Sequence, residues 1–137
     1  MLSSTLGVRS ISERDEPTIM ADPNKAAEFE RRSRPISDNL INDLRRVVPP
    51  DWRIAMLQLD VSFSPATGMR STKHRLWNPL TDAEVRDFPE TLFQTTTALH
   101  AIFAEYQQAW TRCLVLYRLD PRGAVECEIN YHYGLPT

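Results

Sequence analysis

The stretch WTRCLVLYRLDPRGAVECEINY, Trp110 to Tyr131, decides the fold, because it reads as two β-strands joined by a tight turn. Its return arm alternates apolar and polar side chains, which is the period of a pleated strand. The connecting Asp-Pro-Arg-Gly is turn sequence, since Pro121 presets φ and Gly123 accepts a positive φ. A lone hairpin is marginal in water, so the rest of the chain must cover its apolar face.

A second hairpin is predicted earlier in the chain. Residues Trp52 to Phe63 alternate as a strand, 64–68 form a turn, and Met69 to Trp77 form a weaker return strand. The return strand carries several basic side chains and few apolar ones, which is typical of an edge strand protected against aggregation. Thr81 followed by Glu84 fits a capping box and predicts a short turn of helix.

Two helices are predicted to cover these hairpins. Asp22-Pro23 resembles an N-cap followed by Pro at the first helical position, and Pro35 should break or kink the segment. Residues 36–48 then show apolar side chains at helical spacing, and Pro49-Pro50 ends them. Phe88-Pro89-Glu90 opens the second helix. Its predicted buried stripe consists of Leu92, Phe93, Leu99, Ile102, Phe103 and Tyr106.

The predicted order is helix, strand, strand, helix, strand, strand. This order predicts the α+β class, with a four-stranded antiparallel sheet and both helices on one face. Residues 1–21 are polar and aperiodic, so we expect a disordered leader followed by a single domain at 22–137. Translation from Met20 instead of Met1 stays open at this point.

The composition and charge of the chain argue against several classes of function. The chain has 137 residues and a formal charge of −2, which argues against nucleic acid as the main partner. No apolar run approaches the roughly 20 residues of a membrane span, and no signal peptide is recognisable, so we expect a cytoplasmic protein. Residues 83–137 carry four basic against seven acidic side chains, which would suit a basic partner.

No pattern in the sequence predicts catalysis or a cofactor. The three histidines lack metal-binding spacing, and no phosphate-binding or nucleophile motif occurs. Cys113 and Cys127 lie on opposite arms of the hairpin, where a cross-strand disulfide competes with the favoured alternative of two buried thiols. Asp60, Glu126 and Glu128 are candidates for a carboxylate pair across strands, although ion pairs with neighbouring arginines favour a structural role. We therefore predict a protein that is not an enzyme and has no cofactor.

Several short segments together resemble a known family. They are VVPPDW (47–52), FPETL (88–92), AWTRCLVLY (109–117) and GAVECEINY (123–131). In this order they are similar to the YezG-like immunity proteins, also called the DUF600 family, of bacterial polymorphic toxin and contact-dependent growth inhibition systems. The resemblance covers about residues 36–133 and implies a cytoplasmic antitoxin that binds and neutralises a cognate toxin domain, often a nuclease, by covering its active site or substrate cleft.

Such a role requires a surface that complements a basic cleft, and acidic groups both steer and dock a basic partner. The candidate partner-binding residues are Glu126, Glu128 and Asp60 on the polar sheet face, and Asp82, Glu84 and Asp87 before the second helix. The alternative is another interaction module of the secretion-chaperone type, which would dimerise and bind an unfolded segment. An enzyme is the third and least favoured hypothesis for the function.

Overall fold

The computed structural model describes residues 7–12 and 22–133. Its helices are α1 (Pro23–Val47) and α2 (Glu90–Glu105), and its strands are β1 (Gly7–Ser12), β2 (Ile54–Phe63), β3 (Arg70–Trp77), β4 (Glu84–Val85), β5 (Arg112–Leu119) and β6 (Val125–His132). The strands form one sheet in the order β1-β6-β5-β2-β3-β4. The five strands from β6 to β4 are antiparallel, and β1 runs parallel to β6. The predicted α+β class is confirmed, with more strands than the four predicted.

The β5–β6 hairpin forms as its sequence predicts. The Asp120 carboxylate accepts hydrogen bonds from the backbone N–H groups of Arg122 at 2.8 Å and Ala124 at 2.9 Å. Gly123 has a φ of 89°, a conformation that glycine adopts without the steric cost of a Cβ atom. The turn chemistry therefore fixes the register of both arms locally.

Both helices pack on the same face of the sheet and build a single core. Alternate residues of β2, β5 and β6 are buried beneath them, and Leu59, Val115 and Ile129 are fully inaccessible. The core residues are Leu40, Ile41, Leu44, Val48, Trp52, Ala55, Leu57, Leu59, Val61, Leu76, Leu92, Leu99, Ile102, Phe103, Trp110, Cys113, Val115, Tyr117, Val125, Cys127, Ile129 and Tyr131. The opposite face of the sheet has no helix on it in the described part of the chain.

Helix α1 continues through Pro35, so of the predicted break or kink at this residue the break is wrong. Asp22 caps the helix as predicted, with its side chain accepting the backbone N–H of Asn24 at 3.0 Å. Packing holds the helix on both sides of the proline, since Phe29 meets Phe103 edge-on at 4.8 Å and Leu40 is fully buried. These tertiary contacts outweigh the backbone hydrogen bond that an interior proline removes.

Strands β1 and β4 were not predicted. β1 lies inside the segment that the sequence predicts to be a disordered leader, so that prediction is wrong for Gly7–Ser12; the rest of 1–21, including Met20, lies outside the described residues. Strand β4 replaces the predicted turn of helix, with Glu84 paired to Trp77. Both strands are short and gain their hydrogen bonds from a neighbouring strand edge, which no local pattern reveals.

The hairpin register excludes a bond between the two cysteines. Cys113 lies opposite Tyr131, and Cys127 lies opposite Tyr117. The cysteines are therefore offset by four positions, about 13 Å along the strands, whereas a disulfide needs Cα atoms within about 7 Å. Both thiols are free and buried, which agrees with the favoured alternative.

Candidate functional site

The face of the sheet turned away from the helices, here called the outer face, has an apolar centre. Met56 of β2 lies between Trp77 of β3 and Leu116 of β5 in the strand register. Ile54 and Leu114 extend this strip along β2 and β5, and all five side chains are only partly buried. Alternation along each strand dictates this arrangement, because the side chains between them point into the core. Trp77 thus lies on the surface, whereas Trp52 and Trp110 are core residues.

Charged side chains surround this apolar strip. Asp60 accepts a hydrogen bond from the Arg112 Nε at 2.6 Å and another from the Gln58 amide at 2.7 Å. Partial burial opposes ionisation of Asp60, but these two hydrogen bonds outweigh it, and the pKa of Asp60 lies below its usual value. Asp60 is therefore an ion-pair partner that holds Arg112 at one end of the outer face.

The two acidic residues of β6 lie at the other side of the outer face. Glu126 is exposed and lies opposite Arg118, while the half-buried Glu128 lies opposite Leu116 at the margin of the apolar strip. Asp60 is two strands away, so the predicted carboxylate pair between Asp60 and these residues does not form. Glu126 and Glu128 instead make an acidic margin of the apolar strip along β6, and β1 lies beyond this margin with Arg9 opposite Glu128 in the register.

The other three predicted partner-binding residues lie near the opposite edge of the sheet. Glu84 forms an ion pair with Arg75 at 3.5 Å, and the Arg75 guanidinium lies 4.1 Å from the centre of the Trp77 ring. Asp82 is exposed in the preceding turn with a φ of 65°, a conformation that aspartate tolerates better than most residues. The cation–π contact and the ion pair together fix Arg75 over the apolar strip.

Asp87 lines a shallow open groove of about 400 Å³ between the end of α1 and the start of α2. Asp43, Arg46, Pro89 and Thr91 also line this groove. The Asp43 carboxylate is almost fully buried and accepts a hydrogen bond from the Thr95 hydroxyl at 2.7 Å. This contact joins α1 to α2, so Asp43 has a structural role at the floor of the groove.

The six predicted acidic residues therefore do not form one patch. β4 and β6 are separated by four strand spacings, about 19 Å across the sheet. Basic residues also share the outer face with the acidic ones, and on the five strands β2 to β6 the two signs are equal in number. The acidic residues are Asp60, Glu84, Glu126 and Glu128, and the basic residues are Lys73, Arg75, Arg112 and Arg118.

Beneath the other face lies a polar cluster that the sequence did not predict. His100 of α2 is 2% exposed; its Nε2 donates to the Trp110 carbonyl at 3.0 Å, and its Nδ1 accepts from Arg70 at 2.7 Å. His74 of β3 donates from Nε2 to the Thr96 hydroxyl at 2.8 Å, and that hydroxyl donates to the Phe93 carbonyl at 3.1 Å. These contacts tie α2 to the end of the sheet.

Both histidines of this cluster stay neutral at pH 7. Burial lowers the pKa of His74, and burial together with the nearby Arg70 charge lowers the pKa of His100. The predicted buried stripe of α2 included Phe93, which is 41% exposed, and omitted Thr96 and His100, which are buried. Helical spacing gives the missing signal, since Thr96, His100 and Phe103 follow one another by four and three residues, although Thr96 and His100 are polar.

The described residues contain no group of three or more His, Cys, Asp or Glu side chains that is placed to hold a metal ion. Among the same residues, neither helix is long and apolar enough to cross a membrane. The outer face, with its partly accessible apolar strip and charged margins, is thus the candidate interaction surface.

Comparison with known proteins adds no family assignment, since the chain matches no family model and no curated protein. The resemblance to YezG-like immunity proteins consequently stays a prediction.

Proposed function

We propose that this protein is a noncatalytic binding module of the immunity type, which acts in the cytoplasm and neutralises a cognate toxin domain by docking against it. The observation that carries the proposal is the outer face of the sheet. Its apolar strip of Ile54, Met56, Trp77, Leu114 and Leu116 is partly accessible and bordered by charge. An apolar centre with a polar margin is the usual anatomy of a protein–protein interface.

The charge arrangement supports a folded protein as the partner. Bases on β3 and acids on β6 flank the same apolar strip, with oppositely charged neighbours beside them, so the face carries both signs instead of one uniform sign. Complementary charges on a partner would select one orientation of docking and reject others. A nuclease domain presents a basic cleft, and the acidic margin formed by Glu126 and Glu128 is the part of this face that suits it.

The immunity proposal can be tested by growth rescue and by direct binding. Candidate toxin domains encoded next to the gene are co-expressed with the wild-type chain or with Leu116→Asp, which places a charge in the apolar strip. We expect the wild type to restore growth and to co-purify with the toxin at one-to-one stoichiometry. We expect Leu116→Asp to lose at least about tenfold in affinity, since truncating or charging a central contact commonly costs more than 1.4 kcal/mol.

Ala27→Asp is the matched control, because it adds the same charge at an exposed position in the first turns of α1. It should bind and rescue like the wild type, and urea unfolding should show that both variants are folded. Rescue by Leu116→Asp with unchanged affinity would show that the outer face is not the docking surface. Hydrolysis of a small molecule, or a dimer that binds only unfolded segments, would contradict the immunity reading itself.

A further inference from the structure

Strand β3 has an open edge along most of its length. Its other side pairs with β2 from Arg70 to Trp77, but β4 pairs only with Leu76 and Trp77. Within residues 7–12 and 22–133, no strand therefore lies beside Arg70–Arg75 on the β4 side. This agrees with the predicted edge strand and shows that the edge extends over six residues.

The backbone N–H and C=O groups of successive β3 residues point alternately toward β2 and toward the open edge, and two hydrogen bonds show which residues face the edge. The Asn78 N–H donates to the Ala83 carbonyl on the β4 side, whereas the Met69 carbonyl accepts from the Ser64 N–H on the β2 side. The N–H and C=O of one strand residue point to the same side, and the side alternates with each residue. The N–H and C=O groups of Arg70, Thr72 and His74 consequently point to the open edge.

Exposed apolar side chains lie at both ends of β3 and beside it on α2. Four large hydrophobic residues are exposed in the described part of the chain: Phe63 at 61%, Met69 at 68%, Leu80 at 77% and Phe93 at 41%. Phe63 lies opposite the first residue of β3, Met69 precedes it, and Leu80 follows the strand by three residues. The Phe93 ring lies 4.6 Å from that of His74, so α2 overhangs the edge from one side.

We propose that the open edge of β3 binds an extended segment of a protein partner, which adds a strand to the sheet. The residues of that segment facing α2 would be apolar, because they meet Phe93 and the rings of His74 and Phe88. The alternate residues would be acidic, because they lie beside the exposed side chain of Lys73 and next to Arg75, which also pairs with Glu84. The expected ligand is thus an extended peptide with alternating apolar and acidic residues.

The same charges argue against a second copy of this chain as the occupant. Two β3 edges paired with each other would bring the Lys73 and Arg75 side chains of one copy beside those of the other. Like charges on adjacent strands are destabilising, and lysine on an edge is a common protection against self-association. The edge therefore favours an acidic segment over itself. This inference goes beyond the immunity proposal, since it holds whatever the partner does.

The test uses synthetic peptides of about seven residues, long enough for a typical strand, with apolar and acidic residues in alternation. A small library of such peptides is titrated into isotope-labelled protein, and the backbone amide signals are followed by NMR. We expect the largest shifts at Arg70, Thr72 and His74. Composition-matched peptides with shuffled order should bind at least about tenfold more weakly, because they lose the alternation of both side-chain sets.

A backbone test separates strand addition from side-chain binding. Two N-methylated forms of the best peptide are compared, one methylated at its odd-numbered residues and one at its even-numbered residues. One form should lose binding, and the other should keep it. Thr72→Pro removes an N–H that points to the open edge and should weaken binding at least about tenfold, whereas the edge position tolerates proline in the fold. Lys73→Glu should reverse the preference from acidic to basic peptides.

Equal binding of both N-methylated peptides, or no alternating peptide binding better than its shuffled form, would overturn the proposal. So would protection of the Arg70, Thr72 and His74 amides from hydrogen exchange in the free protein, which would mean that another part of the chain already occupies the edge. A dimer that Thr72→Pro converts to a monomer would assign the edge to a second copy. Leu116→Asp should leave peptide binding unchanged, so the proposal for the edge and the proposal for the outer face can be refuted separately.

Discussion

Acidification below about pH 6.5 should destabilise the protein through His100. Its imidazole is 2% exposed, and both ring nitrogens have partners that fit only the neutral ring. Protonation of Nδ1 would aim an N–H at the Arg70 guanidinium, 2.7 Å away, and place two positive charges together. The folded state thus disfavours a proton that the unfolded state accepts freely, in agreement with the lowered pKa of His100.

The direction of the effect follows from proton linkage. A histidine whose pKa is lower in the folded protein contributes its full stability above the unfolded pKa of 6.5 and loses it as the pH falls. The unfolded state gains about 1.4 kcal/mol by protonation at about pH 5.5, which is the largest loss of stability that His100 can cause at this pH. The lowered pKa of His74 gives a second loss of the same sign.

Urea unfolding between about pH 7.5 and pH 5.5 measures this loss as a fall in the free energy of unfolding. His100→Gln keeps a donor and an acceptor but does not titrate, so the fall should shrink by up to about 1.4 kcal/mol relative to the wild type. His74→Gln,His100→Gln should flatten the profile further. The lowered pKa of Asp60 restricts its own contribution to more acidic conditions, below the ordinary value of 3.8. An unchanged slope in His100→Gln would refute the buried neutral imidazole.

Three further measurements probe the framework. Pro35→Ala restores a backbone donor inside α1 and should raise the free energy of unfolding by about 1–3 kcal/mol in urea titrations. No gain in stability would contradict a continuous helix at this residue. Leu59→Ala empties a fully buried position beneath the helices and should cost about 2–5 kcal/mol in the same assay, whereas a loss under about 1 kcal/mol would contradict its place in the core. Burial raises the pKa of the Cys127 thiol to about 12 and also raises the pKa of the Cys113 thiol. A thiol reagent at pH 8 should therefore modify neither cysteine in the folded protein and both cysteines after unfolding. Rapid labelling of the native protein would disprove this burial.

The central hairpin and the two helices were predictable because their signals are local. Asp120 and Gly123 specify a turn within four residues, and Asp22 caps the helix that follows it. The alternation in β2 and β6 likewise places each side chain on one face without reference to the rest of the chain. The order of these elements and the single covered face followed from such signals alone.

The features that escaped prediction depend on residues far apart in the chain. β1 gains its partner from β6, more than a hundred residues later, and β4 depends on the edge of β3. Pro35 is tolerated because Phe29 contacts Phe103 of another helix. Burial of His100 needs both the Trp110 carbonyl and Arg70, which only the folded chain brings together. In each case tertiary contacts override a local preference.

The electrostatics of the candidate site also depend on the register of the sheet. The acidic excess of residues 83–137 suggested an acidic docking face, but β5 lies between β2 and β6 and carries Arg112 and Arg118 onto that face. Arg112 is held by Asp60, and Arg118 lies opposite Glu126, so much of the acidic charge is balanced by its neighbours. Long-range attraction of a basic partner to this face would therefore be weak, and the affinity for the proposed partner would come mainly from burial of the apolar strip. Under the proposed function, a partner of this face would accordingly be recognised through its shape, and the acidic margin of β6 would set its orientation.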